Sequence, residues 1–279
     1  DVNAVGGDSH YQFLNWSINN NAAYSYASDT RGYTYGGLIE VHYHRWAARF
    51  AEALQAKADN PARTDFRFGR SHSEHLEVEI PVGWVRHRVG LVRGLAYLNH
   101  GQLGLYRDAI AAHQFAGQPA DVTAHRAARH SYGFGLNVEQ ELTRSLRVYG
   151  RLGWSDGKTE SRNYTEADRA ASAGFDVVGN HWRRSGDKVG FAIATSSLAR
   201  DHRSYLALGG AGSVLGDGRL NYGAEKMAEL YYTAQVKPGV HIAADVQRIA
   251  HPGYNRDRGP VLVAALRLHL EVWVLKEPR

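Results

Sequence analysis

Two pairs of carboxylates, Glu77 with Glu79 and Glu139 with Glu141, stand two residues apart, and paired carboxyls are what glycoside hydrolysis requires. That reaction places its two groups roughly 5–10 Å apart across a bound sugar. On a strand, however, i and i+2 project from one face, and four acids so placed read more simply as charges facing water. His42 and His44 share a strand face, and His72 lies close to His75, so a metal site is conceivable. Such a site needs three or four convergent ligands and a second shell. Fifteen scattered histidines produce near pairs by chance, so no metal ligand is expected. Gly209-Gly210-Ala211-Gly212 and Gly216-Asp217-Gly218 suggest a phosphate cradle, but no helix pattern follows them, so they read as a flexible loop. A Gly-x-Ser-x-Gly elbow is absent, so no catalytic residue is expected.

The elements that position these groups are strands. Residues 132–155, YGFGLNVEQELTRSLRVYGRLGWS, alternate with period two, turn at Thr143-Arg144, and alternate again. Each strand has one apolar face and one carrying charge. A soluble sandwich would bury the apolar face; a bilayer barrel would show it to lipid. The chain has 279 residues, is 43% hydrophobic with 30 Gly, and has a mean hydropathy of -0.44. That value excludes a helical membrane protein but not a barrel, because half of each barrel strand faces water. A dispersed charge of +5, with no basic stripe, argues against a nucleic-acid partner. Cysteine is absent, which removes thiol catalysis and disulfides. The chain starts at Asp1 and its lone methionine is Met227, so a processed protein or a fragment is expected.

Period-two segments fall near 9–17, 35–44, 46–57, 73–81, 84–98, 129–142, 145–156, 166–179, 187–197, 222–236, 240–249 and 261–274. Short corners at Arg45, Pro81–Gly83, Thr143–Arg144, Asn180–Gly186 and Lys237–Gly239 alternate with long connectors at 18–34, 58–72, 99–128, 157–165, 198–221 and 250–260. A membrane barrel sorts its loops this way, and a sandwich has no reason to. The expected fold is therefore all-β, an antiparallel transmembrane β-barrel with about twelve strands readable here. Charges on the lipid face cost about 2–4 kcal/mol each, so they should point inward. Glu52, among Trp46, Ala48, Phe50 and Leu54, is an exception, and 84–98 has no clear face. Trp16, Trp46, Trp84, Trp154, Trp182 and Trp273 lie near strand ends, as an interfacial girdle would. Residues 103–114 have helical spacing, and a helix there would either constrict the lumen or cover its mouth.

Several blocks resemble the carbohydrate-selective porins, the OprB-type family of Gram-negative outer membranes. They are DVNAVGGDSHYQFLNW (1–16), SDTRGYTYGGLIE (28–40), RWAARFAEAL (45–54), the run at 132–154, GNHWRRSGDKVGFA (179–192) and, most specifically, ADVQRIAHPGYNRDRGPVLVAALRLHL (244–270). The resemblance implies passive diffusion of sugars through an outer-membrane barrel whose pore inward-folded loops narrow. Family members are longer and usually have sixteen or more strands. Residues 1–279 are therefore expected to be a single β-barrel domain that lacks its N-terminal strands, part of a 16–18-stranded barrel. The family often ends on an aromatic residue, whereas this chain runs past Trp273 to Arg279.

The functional expectation is a porin with carbohydrate solutes and outer-membrane lipid as its partners, as a homotrimer or a monomer, without a cofactor. Arg49, Glu77, Glu79, Glu139, Glu141, Arg147, Arg151, Glu229, Arg267 and Glu271 would line the pore and offer hydrogen bonds to hydroxyls. A plugged structural or adhesive barrel is the second reading, and a rim-active outer-membrane enzyme the third.

Overall fold

The computed structural model describes residues 3–57, 63–117, 119–161 and 166–271. Eleven strands form one antiparallel sheet, each hydrogen-bonded to its neighbours in chain order. They are β1 (Gly36–Tyr43), β2 (Trp46–Leu54), β3 (His72–Pro81), β4 (Gly90–Gly104), β5 (Arg126–Glu141), β6 (Leu146–Ser155), β7 (Arg169–Gly179), β8 (Arg184–Ser197), β9 (Glu225–Lys237), β10 (Val240–Ala250) and β11 (Val261–Leu270). Among the described residues three α-helices accompany them: α1 (Trp16–Asn19), α2 (Tyr106–Ala116) and α3 (Arg200–Ala207). Among the described residues β1 and β11 each have one unpaired edge, so the sheet is open.

The register keeps like with like. Phe50 opposes Leu76, Phe134 opposes Trp154, and Leu230 stands between Phe191 and Val246. All of these apolar residues but Trp154 are exposed at the surface. On the other face Glu40, Arg49 and Glu77 align across three strands, and Arg147 and Asp176 across two. We term the apolar side the outer face and the charged side the inner face. Connectors at 44–45, 82–89, 142–145, 180–183 and 238–239 join the strands at one end; those at 55–71, 105–125, 156–168, 198–224 and 251–260 join them at the other. The expected parity of loops holds, although 82–89 is longer than the Pro81–Gly83 corner read from the sequence.

Eleven of the twelve expected strands are present, and the first is not. Residues 9–17 form turns and the start of α1, because Asn15 caps that helix by accepting from the Ser17 N–H. The apolar side chains of this stretch need no strand neighbour, since they rest on the inner face. Val5, Phe13 and Ile18 are buried against Tyr149, Ala192, Ala194, Met227 and Tyr231. Phe13 meets Tyr231 edge-on at 4.9 Å. Burying Phe13 and Ile18 contributes about 1.5–3 kcal/mol each. Trp16 consequently belongs to this inserted stretch and not to a girdle, and Trp273 lies outside the described residues.

The long connectors build a second core at their end of the sheet. Tyr106 of α2 stacks on His202 of α3 at 4.4 Å, and Leu198, Tyr205, Leu206, Leu215 and Tyr254 bury around them. Helix α2 stops at Gly117, whose φ of 68° lets its N–H reach the His113 carbonyl. The helix read at 103–114 thus belongs to a cap packed from the loops. Within that cap the glycine-rich loop does cradle an anion, but one of the chain's own. The N–H groups of Ser213, Val214 and Leu215 all donate to the buried Glu166 carboxylate.

Candidate functional site

The inner face carries the candidate chemistry, and strand register sets it. Arg49 on β2 donates to Glu40 on β1 and, at 2.9 Å, to Glu77 on β3; Glu79 lies 3.5 Å away. Arg93 on β4 then donates to Glu79 at 2.6 Å and to Glu139 on β5 at 3.0 Å. The outcome is an unbroken ladder of alternating charge across five strands. On β6 to β8 a second group follows, with Arg147 donating to Asp176 at 2.9 Å and Lys188 at 3.5 Å from the same carboxylate. Asp176 is fully buried. A charge this enclosed is tolerable only when paired, which explains the two cations around it.

Other inner-face residues hold residues 3–27. The Glu229 carboxylate accepts the N–H groups of Leu14 and Asn15, the latter at 2.9 Å, and is 1% exposed. Arg151 donates to the Ile18 carbonyl at 2.8 Å and is 2% exposed. Glu139 accepts the Ala4 N–H, and Arg267 donates to the Ser9 carbonyl at 2.6 Å. Asn3 donates to Asn137 at 2.7 Å, the Thr233 hydroxyl to the Tyr11 carbonyl at 3.0 Å, and the Tyr97 hydroxyl to the Ala23 carbonyl at 2.9 Å. Gly135 and Gly153 admit the chain: a Cβ at Gly153 would stand 1.9 Å from Asn21 Oδ1, and one at Gly135 would stand 2.8 Å from Asn21 Nδ2. The bare glycines of the first quoted strand pair are thus the bed of the inserted segment.

All ten residues read from the sequence as pore-lining lie on the inner face. The structure divides them by partner. Arg49, Glu77 and Glu79 belong to the ladder with Glu139, while Arg151, Glu229 and Arg267 join Glu139 in holding the segment. Arg147 pairs with Asp176. Glu141 lies at the short-connector end beside the Val89 N–H, and Glu271 is 3.3 Å from His269. Sequence reasoning missed Arg93, Glu40, Asp176 and Lys188. Arg93 was hidden because the reading began its strand at residue 84, whereas β4 starts at Gly90 and residues 84–89 are turn. Counting back in twos from Tyr97 would have found it.

The histidine pairs do not converge as their spacing suggested. His42 pairs with Glu40, and His44 sits in the β1–β2 corner at φ 54°. His75 faces inward, with Nδ1 2.8 Å from the Tyr24 hydroxyl, whereas His72 faces outward. Among the described residues no cluster of three metal-type ligands lies on the inner face. In the cap, Asp168 accepts from Ala199 N–H at 2.7 Å and lies 3.0 Å from His202 Nδ1. Burial alone would raise its pKa, but the His202 charge and these hydrogen bonds outweigh it and hold the carboxyl below its ordinary value. Glu166 goes the other way, because its burial outweighs three N–H donors.

An antiparallel meander with an apolar outer face, a charged inner face and loops sorted by length is the wall of a transmembrane β-barrel. Comparison with known families carries this further: the model described as "Carbohydrate-selective porin, OprB family" matches residues 3–271, and the chain belongs to that family. Among solved structures, Pseudomonas putida OprB at high pH is similar in fold, with a TM-score of 0.69 at 16% identity. The match covers 85% of this chain and 58% of that one, so the chain spans less than two thirds of that protein's length. A comparison with curated proteins gives no match.

Proposed function

We propose that this chain forms most of the wall of an outer-membrane channel through which sugars and other small hydrophilic solutes diffuse passively in a Gram-negative bacterium. The observation that carries the reading is the Glu40–Arg49–Glu77/Glu79–Arg93–Glu139 ladder on the face away from lipid. Alternating donors and acceptors along a wall can exchange partners with successive hydroxyls, and each partner is weak enough to release. Tyr24 and Tyr26, tilted together at 5.8 Å beside His75, offer aromatic faces to a pyranose. Transport of this kind uses no cofactor and no catalytic step. We further propose that residues 1–279 are one domain, and that the free edges of β1 and β11 pair with strands beyond this chain. The open sheet supports this, since long unpaired edges invite aggregation.

Residues 3–27 favour a second reading, a plugged barrel, because they cover the inner face of β4 to β10. Single-channel conductance in a planar bilayer decides between the two. The full-length protein should give open-channel current that glucose or maltose reduces saturably. Absence of current from correctly inserted protein would establish the plugged barrel instead.

A further inference from the structure

The outer face holds one group that its apolar surroundings do not explain. Glu52 on β2 and Glu74 on β3 are register partners, two carboxylates directly opposed on the side that faces lipid. Like charges so placed destabilise a strand pair. Among the described residues neither has a lysine or arginine within 4.0 Å; their neighbours are imidazoles. His72 Nε2 lies 3.7 Å from Glu74 and 4.0 Å from Glu52, and His100 Nε2 lies 3.5 Å from Glu74. The site sits at the long-connector end of the sheet, where β3 begins and four residues from the end of β4.

We propose that His72, Glu74 and His100 bind a divalent cation of the zinc class, with Glu52 as an additional carboxylate. Four features support this. The His72 Nδ1 lies 2.8 Å from the Phe68 carbonyl. A carbonyl only accepts, so Nδ1 carries a proton, and in the neutral ring the Nε2 lone pair faces the carboxylates, the second-shell arrangement that metal-bound histidines share. His100 Nε2 is buried and has no hydrogen-bond partner among the described residues. The donor atoms of the three residues lie within 4.8 Å of one another. Tetrahedral zinc with bonds of about 2.0–2.1 Å sets donors about 3.3 Å apart, so the 3.5 and 3.7 Å separations need only a small contraction. The two rings are stacked at 4.2 Å and must fan apart to aim at one ion. An adjoining depression of about 360 Å³ leaves room for that rotation. Arg129, which borders it together with Arg70, is already engaged by the Leu103 and His125 carbonyls and by Asp108. Nitrogen and oxygen donors of this kind suit zinc over calcium or magnesium, which take oxygen alone.

The test uses the detergent-purified protein, with Zn²⁺ competed against a chromophoric chelator and Co²⁺ as the spectroscopic probe. One ion per chain is expected, with affinity falling at least tenfold in His72→Ala and in His100→Ala, and held in His269→Ala. Binding should weaken as pH falls through the imidazole range, because the ligand nitrogens must be unprotonated. Folding of each variant is verified by its heat-dependent shift on a gel. Co²⁺ bound to unaltered protein should show ligand-field bands of a nitrogen-ligated site, a readout that needs no variant. No stoichiometric binding, or binding unchanged in both histidine variants, would overturn the proposal. Sugar conduction depends on the opposite face, so the two readings fail separately.

Discussion

Glu229 is the deepest of the groups that hold the inserted segment, and its replacement by alanine has a calculable effect. Its carboxylate accepts two backbone N–H groups, from Leu14 and Asn15, at a site 1% exposed. Removing a partner so that a buried N–H is left unsatisfied costs about 1–3 kcal/mol. Taking about 1.5 kcal/mol for each of the two gives about 3 kcal/mol, which raises the released-to-docked ratio more than a hundredfold at about 1.4 kcal/mol per decade. Release should stay local, because Arg151 still holds the Ile18 carbonyl and Arg267 the Ser9 carbonyl. Amide hydrogen exchange reads it directly. In Glu229→Ala the Leu14 and Asn15 amides should exchange about a hundredfold faster than in the unaltered protein, while amides of β7 and β8 stay as they were. Glu229→Gln, which keeps one acceptor oxygen in place of two, should fall between. If both variants exchange within about threefold of the unaltered protein at Leu14 and Asn15, the segment is not held by this carboxylate and the pinning scheme is wrong.

Other perturbations separate the parts of the wall. Arg49→Gln removes the cation shared by Glu40, Glu77 and Glu79, so the reversal potential in a salt gradient should move toward cation preference; an unchanged potential would place the ladder outside the ion path. Leu230→Arg sets a charge among outer-face residues between Phe191 and Val246 and should cost about 2–4 kcal/mol, read as a lower folded fraction in lipid vesicles. Asp168 is held below its ordinary pKa, so its contribution to the cap is present above that value and is lost as pH falls through the depressed one. Asp168→Asn should remove that acid-side loss from the exchange protection of α3. Glu166 is raised, so its linkage has the opposite sign: the contribution is present below the ordinary carboxylate range and fades as pH rises through the raised pKa. Glu166→Gln should flatten that alkaline-side decline at residues 213–215.

How much of this was legible follows from where alternation applies. Period two is enforced wherever one face meets lipid and the other meets charge, so β5, β6, β9, β10 and β11 could be read with their faces and corners. The rule lapses in two places. In residues 9–17 Tyr11 and Phe13 alternate like a strand, but Asn15 caps a helix turn and the apolar side chains find their partner on the inner face. No local pattern announces a partner more than 200 residues away, such as Glu229 for Leu14. At the strand ends by the long connectors, Glu52, His72, Glu74 and His100 depart from the apolar pattern of the outer face. Glu52 looked like a misfit in its own strand because what explains it lies on β3 and β4.

The division of the inner face locates the open part of the wall. Along β5 to β10 the inward residues Asn137, Arg151, Asp176, Glu229, Thr233 and Asp245 are buried, several of them by residues 3–27. Along β1 to β3 the inward side chains of Glu40, Arg49, Glu77 and Glu79 keep 33%, 26%, 11% and 21% of their surface. Charges that are already desolvated and satisfied by backbone groups have nothing left to offer a hydroxyl, since any exchange must first break a buried hydrogen bond. Charges that keep part of their surface in water and are shared among several partners can trade one contact for another at little cost. Under the proposed function the ladder end of the sheet is where a solute is engaged, while the inner face of β5 to β10 holds residues 3–27.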